Sequence, residues 1–214
     1  MRSTAPRRHK GPMRTVPDSP EGIAEALEVL RSGGIVMHAT ETCYGIACDM
    51  TNPDAVAALF AVKERPLTQP VSALFATLTQ AKEYLEWNDR AEELAAERLP
   101  GPFTMVLKLR TGAPHRLYPT PPDTDPKPPT PTVGLRLSPH PTALALVTQF
   151  GKPITTTSAN LHGQENPYSA EDILTQYAER DADHILIVDS GTLEKRSPSQ
   201  VVDLSLGSEV LLRS

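Results

Sequence analysis

Short apolar runs and amphipathic repeats alternate along most of this chain, and several of the segments between them are short. Apolar residues at helical spacing begin near Pro20 and end at Gly33 and Gly34, which stop a helix. The run 35–39 follows directly and predicts a strand. Parallel neighbours need crossovers of about a dozen residues or more, so short connections require antiparallel neighbours as well. The sequence therefore predicts an α/β fold with a twisted, mixed, open sheet flanked by helices.

The rest of the chain continues this alternation. Further strands are predicted at 71–75, 103–109, 133–137, 154–157, 184–188, 201–204 and 210–212. Helices are predicted after Asn52, once or twice within 81–99, at 142–149 and after Ser169. The helix that follows Asn52 is expected to end at Pro66, because the residue before a proline is disfavoured in helical backbone.

A chain of 214 residues can form one sizeable domain, and such a chain buries roughly 70% of its unfolded surface without a disulfide or metal. We predict a disordered basic tail at 1–17 and a single domain at 18–214. Within 111–132, eight of the 22 residues are proline, which is typical of an extended surface loop. A tolerated insertion is the simplest interpretation of this loop, and a functional lid is the alternative.

The composition and the apolar pattern argue against several classes of protein. The formal net charge of -5 argues against a generally basic nucleic-acid coat but leaves room for a local basic face. Cys43 and Cys48 are too few for a disulfide framework, and buried apolar thiols are favoured over a zinc site. No apolar run reaches the roughly 20 residues of a membrane span, and residues 1–17 lack the apolar core of a secretory signal. We expect a cytoplasmic monomer.

Two cations stand where the helix after Asn52 gives way to a loop. Lys63 and Arg65 are separated by one residue and followed by Pro66. In extended backbone the two side chains can converge, and an ammonium with a guanidinium suits phosphate oxygens. The alternative is a solvated helix end whose cations complement the helix dipole.

Arg136 lies within an apolar strand and needs a partner there. The partner is either the carboxylate of a ligand or a structural Asp or Glu. The segment 155–160 (Thr-Thr-Thr-Ser-Ala-Asn) places four hydroxyls and an amide at the end of another strand, where they suit ribose, phosphate or an amino acid. The sequence contains neither a GxxxxGK[ST] phosphate loop nor a GxGxxG dinucleotide motif, so a nucleotide would have to be held in another way.

These residues match a known pattern. The chain resembles the YrdC/TsaC family of threonylcarbamoyl-AMP synthases in the order of its motifs, which are 39–46 (ATETCYGI), 63–66 (KERP), 100–104 (PGPFT), 133–136 (VGLR), 157–160 (TSAN) and 196–203 (RSPSQVVD). The resemblance covers roughly residues 20–213 and is to the short form of the family. The histidine that some members carry near position 74 is Leu74 here, and the later serine is Asn166.

The resemblance implies a YrdC-like fold and a reaction in which L-threonine, bicarbonate and ATP give L-threonylcarbamoyl-AMP and pyrophosphate. The product serves the modification of adenosine 37 in tRNA through a downstream threonylcarbamoyl transferase complex. By position, the implied threonine-binding residues are Thr40, Arg136 and Thr156. The implied ATP-binding residues are Lys63, Arg65, Thr132, Ser158, Asn160, Asn166 and Arg196, with Lys63 and Arg65 as the catalytic cations. Mg²⁺ is expected to arrive with ATP rather than in a protein cage.

Two other functions stay open from the sequence. An RNA-binding or ribosome-maturation module could use a basic face on RNA or tRNA, although the acidic total counts against it. A YciO-like paralogue would share the fold with feeble synthase activity. Such paralogues tend to lose the Lys-x-Arg and Ser-Ala-Asn motifs, both of which this chain keeps.

Overall fold

The computed structural model describes residues 13–64, 71–114, 131–180 and 184–214. In these ranges the strands are β1 (Arg14–Pro17), β2 (Ile35–Ala39), β3 (Tyr44–Ala47), β4 (Ser72–Leu74), β5 (Phe103–Lys108), β6 (Thr132–Arg136), β7 (Ile154–Ser158), β8 (Ile185–Asp189), β9 (Gln200–Asp203) and β10 (Val210–Arg213). The helices are α1 (Pro20–Arg31), α2 (Pro53–Val62), α3 (Leu78–Tyr84), α4 (Asp89–Arg98), α5 (Pro141–Phe150) and α6 (Ala170–Gln176).

The ten strands form one sheet in the order β1-β8-β2-β3-β7-β4-β6-β5-β9-β10. β8 pairs in parallel with both of its neighbours, and β4–β6 and β5–β9 are also parallel. The pairs β2–β3, β3–β7, β4–β7, β5–β6 and β9–β10 are antiparallel. The predicted mixed open sheet flanked by helices is confirmed.

Apolar side chains fill both faces of the sheet. Adjacent residues of a strand point to opposite faces, and Val36 and Met37 of β2 accordingly join different apolar clusters. The Met37 cluster includes residues of α2, α4 and α6, whereas the Val36 cluster includes residues of α1 and α5. α1 and α5 pack against each other and against β2. The face that carries α1 and α5 also bears a cavity.

Helix ends follow the capping residues of the sequence. The side chain of Asn52 accepts hydrogen bonds from the backbone N–H groups of Asp54 and Ala55, which fixes the start of α2. α2 ends at Val62 and is capped by Lys63, and Glu64 then has a left-handed φ of 54°. The expectation that this helix continues to Pro66 is wrong, because the left-handed turn ends it earlier.

The structure differs from the sequence-based predictions at three further places. The tail predicted at 1–17 is wrong for its last residues, since Arg14–Pro17 pairs in parallel with β8 and Met13 is buried; residues 1–12 lie outside the described ranges. The predicted loop at 111–132 ends earlier, because Thr132 begins β6, and residues 115–130 also lie outside those ranges. β3 was not predicted from the sequence. In the described part of the chain, no helix combines the length and apolar character needed to cross a membrane.

Candidate functional site

A cavity of about 330 Å³ opens on one face of the sheet. Its floor is a row of residues in register across five strands: Thr156 of β7, Ser72 of β4, Gly134 of β6, Val106 of β5 and Asp203 of β9. Ile154 and Leu74, two residues along from Thr156 and Ser72, lie beneath α1 and α5. The cavity is therefore the part of this face that these two helices leave uncovered.

Gly134 keeps the middle of the floor open. A Cβ atom built at this position would stand 2.4 Å from the Ser72 hydroxyl oxygen and 2.8 Å from the methyl carbon of Thr104. Neither distance is compatible with an ordinary van der Waals contact. A glycine is therefore required where the side chains of the two neighbouring strands meet over β6.

The turn between β2 and β3 forms one wall of the cavity, and Thr40 holds this turn together. Its hydroxyl donates to the Cys43 carbonyl at 2.7 Å and accepts from the backbone N–H groups of Thr42 at 3.2 Å and Cys43 at 3.3 Å. Thr40, Thr42 and Cys43 all line the cavity. The structure thus brings Thr40 to the site, and its contact with threonine stays a prediction.

Lys63 joins the end of α2 to the end of β7. The side chain is buried, and its ammonium group donates a short hydrogen bond to the carbonyl of Ser158. Ser158 itself lines the cavity. The interpretation of Lys63 as an exposed, solvated cation at a helix end is therefore wrong. Its predicted companion Arg65 lies outside the described residues.

Arg136 lines the cavity at the end of β6, and its partner in the structure is Glu41. The ion pair is largely buried, since the two side chains are 11% and 9% exposed respectively. The other carboxylate oxygen of Glu41 accepts a hydrogen bond from the Ser138 hydroxyl. Of the two partners expected for Arg136, the structural carboxylate is present, and the ligand carboxylate stays a prediction.

Of the remaining predicted residues, four line the cavity and two do not. Thr132, Thr156, Ser158 and Asn166 line the cavity. Asn160 shapes the loop after β7, where its side chain accepts from the Ser158 hydroxyl and donates to the carbonyls of Leu161 and Gln164. Arg196 is exposed and pairs with Glu194, outside the cavity lining.

Two residues that sequence reasoning missed complete the wall opposite the β2–β3 turn. Arg213 donates to the backbone carbonyl of Ser199 and to its hydroxyl, both at 2.8 Å, and the Ser199 hydroxyl lies 3.1 Å from that of Thr104. Both Arg213 and Ser199 line the cavity. Partial burial of its guanidinium, and after it the nearby charge of Arg136, lowers the pKa of Arg213. Ser199 belongs to the 196–203 motif, but no signal in the sequence linked Arg213 to it.

The chemistry of the cavity is that of anion recognition. Arg136 and Arg213 supply guanidinium donors, and Asp203 is the one carboxylate among the described residues that line it. Burial raises the pKa of the Cys43 thiol, so the cavity cysteine is held in its un-ionised, weakly nucleophilic form. Among the described residues, no group of three or more His, Cys, Asp or Glu side chains could hold a metal ion.

Comparisons with known proteins identify a matching family model and a similar enzyme. Residues 28–214 match the Sua5/YciO/YrdC family model, which is described as Telomere recombination. A threonylcarbamoyl-AMP synthase of Vibrio cholerae is 29% identical over 186 residues, which cover 86% of this chain and 93% of that protein.

Two solved structures share the fold. Sua5 of P. abyssi in complex with L-threonine superposes with a TM-score of 0.78 and is 30% identical, over 94% of this chain and 56% of that one. The present chain therefore spans little more than half the length of that relative. YciO of E. coli superposes with a TM-score of 0.77 and is 26% identical, over 94% of each chain.

Proposed function

This chain belongs to the Sua5/YciO/YrdC family, and on that premise we propose that it is an L-threonylcarbamoyl-AMP synthase, a nucleotidyltransferase. It would convert L-threonine, bicarbonate and ATP into L-threonylcarbamoyl-AMP, pyrophosphate and water. The observation that carries the proposal is the cavity, where Thr156 and Ser72 lie on the floor and Arg136 and Arg213 stand in the lining. Lys63 adds a cation at the end of β7, and its side chain is buried.

In this proposal the two substrates occupy different parts of the cavity. Arg136 holds the carboxylate of threonine, with Thr40 and Thr156 near its amine and hydroxyl. Lys63 and Arg65 hold the phosphates of ATP, together with Thr132, Ser158, Asn160 and Asn166. The resemblance adds Arg196, which lies outside the cavity lining in this structure. Charge-assisted hydrogen bonds of this kind are worth about 1.5–3 kcal/mol each.

No side-chain nucleophile is needed for the chemistry. The amine of threonine takes up bicarbonate with loss of water to form a carbamate, and a carbamate oxygen attacks the α-phosphorus of ATP. Pyrophosphate leaves, and its developing charge is stabilised by Lys63 and Arg65. The protein contributes mainly alignment of the two reactants and neutralisation of charge, which agrees with the un-ionised state of the Cys43 thiol.

Mg²⁺ is proposed to enter with the nucleotide, where it neutralises phosphate charge. The hydroxyls of the cavity and the carboxylate of Asp203 suit an ion that keeps mostly phosphate and water ligands. We place the enzyme in the cytoplasm, because its proposed product is used by a threonylcarbamoyl transferase complex to modify adenosine 37 of tRNA there.

Pyrophosphate release tests the proposal. Purified protein is given ATP and Mg²⁺ with and without L-threonine and bicarbonate, and release is expected to require both. Lys63→Ala and Arg136→Ala should lower the rate by about 10- to 150-fold, the kinetic equivalent of one charge-assisted hydrogen bond. Lys82→Ala is the matched control, because it removes an exposed cation that pairs with Glu92 outside the cavity lining.

The likeness to YciO over 94% of each chain favours a second candidate, a paralogue that binds the substrates without efficient turnover. Binding of ATP or L-threonine with no release of pyrophosphate would support that candidate. Release of pyrophosphate at the same rate with and without L-threonine and bicarbonate would contradict the synthase proposal directly.

A further inference from the structure

Glu41 is placed to act on the substrate through Arg136. We infer that Glu41 is a positioning residue, which holds the Arg136 guanidinium in the orientation that receives the carboxylate of L-threonine. This inference rests on the proposed function, because it takes Arg136 as the group that binds the substrate carboxylate. It adds a specificity-determining residue whose side chain is not itself a ligand for the substrate.

The two oxygens of Glu41 are used by different donors. One oxygen accepts from Nη2 of Arg136, and the other accepts from the hydroxyl of Ser138. Because Ser138 engages the second oxygen, Glu41 makes one contact with the guanidinium rather than gripping a whole edge of it. Among the described residues, the guanidinium is thus hydrogen-bonded at one nitrogen, and N–H donors of its two terminal nitrogens remain for a ligand.

Rigid elements support Glu41 from both sides. Its turn is fixed by the hydrogen bonds of Thr40 to Thr42 and Cys43. The Ser138 hydroxyl also accepts from the backbone N–H of His140, the residue that directly precedes α5. Glu41 therefore connects the β2–β3 turn, the end of β6 and the start of α5. A side chain held in this way loses little freedom when a ligand binds.

The orientation of Arg136 leaves one of its donors without a partner. Nε of Arg136 is buried and has no hydrogen-bond partner in the described part of the chain. A buried N–H group without an acceptor is unfavourable, so the guanidinium is held against this cost by its other contacts. The ion pair with Glu41, which is about nine-tenths buried on both sides, is the contact that can do so.

The charge of Glu41 also shapes selectivity. Arg136 and Glu41 together are neutral, so the cavity does not hold an uncompensated buried cation at this position. A substrate carboxylate then gains mainly from aligned hydrogen bonds instead of from long-range attraction. This arrangement favours a carboxylate whose geometry fits the guanidinium over other small anions.

Equilibrium binding of L-threonine provides the primary test, since it does not depend on turnover. The dissociation constants of L-threonine and L-threoninamide, which lacks the carboxylate, are compared in the unmodified protein, Glu41→Ala and Glu41→Gln. We expect Glu41→Ala to weaken L-threonine binding at least tenfold and to reduce the preference for L-threonine over the amide. Glu41→Gln, which keeps an acceptor for Arg136, should recover part of both.

Kinetic constants separate positioning from folding. In the pyrophosphate assay, Glu41→Ala should raise KM for L-threonine at least tenfold and leave KM for ATP within twofold. Glu93→Ala, which breaks an exposed ion pair with Arg90 on α4, is the matched control and should change neither constant. A Glu41→Ala protein whose melting temperature is near normal would show that the loss is not one of folding.

Three outcomes would overturn the inference. Tighter binding of L-threonine in Glu41→Ala would show that Glu41 competes with the substrate for Arg136. Equal increases in both KM values, or an unchanged preference for the carboxylate over the amide, would show a purely structural role. The proposed function fails by a different result, the absence of threonine-dependent pyrophosphate release from the unmodified protein, and L-threonine binding still tests Glu41 in that case.

Discussion

Gly134 of β6 lies directly opposite Ser72 of β4, and the Ser72 hydroxyl occupies the space that a side chain at position 134 would need. The same register continues to Thr156 on one side and Val106 on the other. The depth of the cavity at its centre is therefore set by one missing side chain. The glycine of the 133–136 motif thus determines how deep the site is at this point.

Gly134→Ala should damage both stability and binding. Its Cβ would meet the Ser72 hydroxyl at 2.4 Å, and overpacking of this kind costs about 1–3 kcal/mol of folding free energy. We expect a lower free energy of unfolding in denaturant titrations, together with weaker binding of L-threonine and ATP. Ser72→Gly in the same chain removes the clashing hydroxyl and should restore part of the stability.

Gly45→Ala is the matched control, since Gly45 lines the same cavity and its added Cβ would stand 3.4 Å from the Thr40 methyl carbon, an ordinary contact. It should change the free energy of unfolding by less than about 1 kcal/mol. Equal losses of stability in Gly134→Ala and Gly45→Ala would contradict the role given to Gly134.

Arg213 and Arg196 can be separated by experiment. Arg213 lines the cavity and donates to Ser199, whereas Arg196 pairs with Glu194 outside the cavity lining. The resemblance assigns a contact with ATP to Arg196. Arg213→Ala should weaken ATP binding by about tenfold or more, the equivalent of one charge-assisted hydrogen bond.

Arg196→Ala should then weaken ATP binding much less than Arg213→Ala, because an exposed ion pair contributes little. The dissociation constants of ATP for the two variants test this difference, and their melting temperatures check that both variants fold. A large loss in Arg196→Ala with no loss in Arg213→Ala would show that the 194–196 segment moves to the nucleotide on binding.

Much of this architecture could be predicted from the sequence, since it depends on local patterns. The apolar runs gave the positions of β2, β5, β6 and β8, and the caps Asn52 and Ser169 marked helix starts that the structure confirms. β3 could not be found in this way. Its four residues follow a polar turn, and they form a strand because β2 and β7 supply hydrogen-bond partners on both sides.

The site was predictable only in part, because some of its residues belong to local motifs and others reach it through long-range strand pairing. Lys63, Ser158 and Arg136 belong to recognisable motifs, and the structure places them at or beside one cavity. Arg213 reaches that cavity through the pairing of β10 with β9 and of β9 with β5. Such long-range register depends on the assembled sheet. The partner of Arg136 was left open, because a sequence cannot tell a ligand carboxylate from Glu41.

His38 of β2 makes stability sensitive to acid. The ring is fully buried, its Nδ1 donates to the Ala39 carbonyl at 3.0 Å, and its Nε2 has no hydrogen-bond partner within the described residues. Burial lowers the pKa of His38 from 6.5 to about 4. Well above pH 6.5 the ring is neutral in both folded and unfolded chains, so it does not affect stability there.

Below pH 6.5 the unfolded chain binds a proton that the folded chain does not, and the free energy of unfolding falls as the pH decreases towards 4. The total loss from this residue is roughly 3 kcal/mol, at up to about 1.4 kcal/mol per pH unit. His38→Leu should remove this contribution and flatten the dependence between pH 6.5 and 4, measured by denaturant titration at each pH. An identical slope in both proteins would show that His38 is protonated without cost in the folded chain.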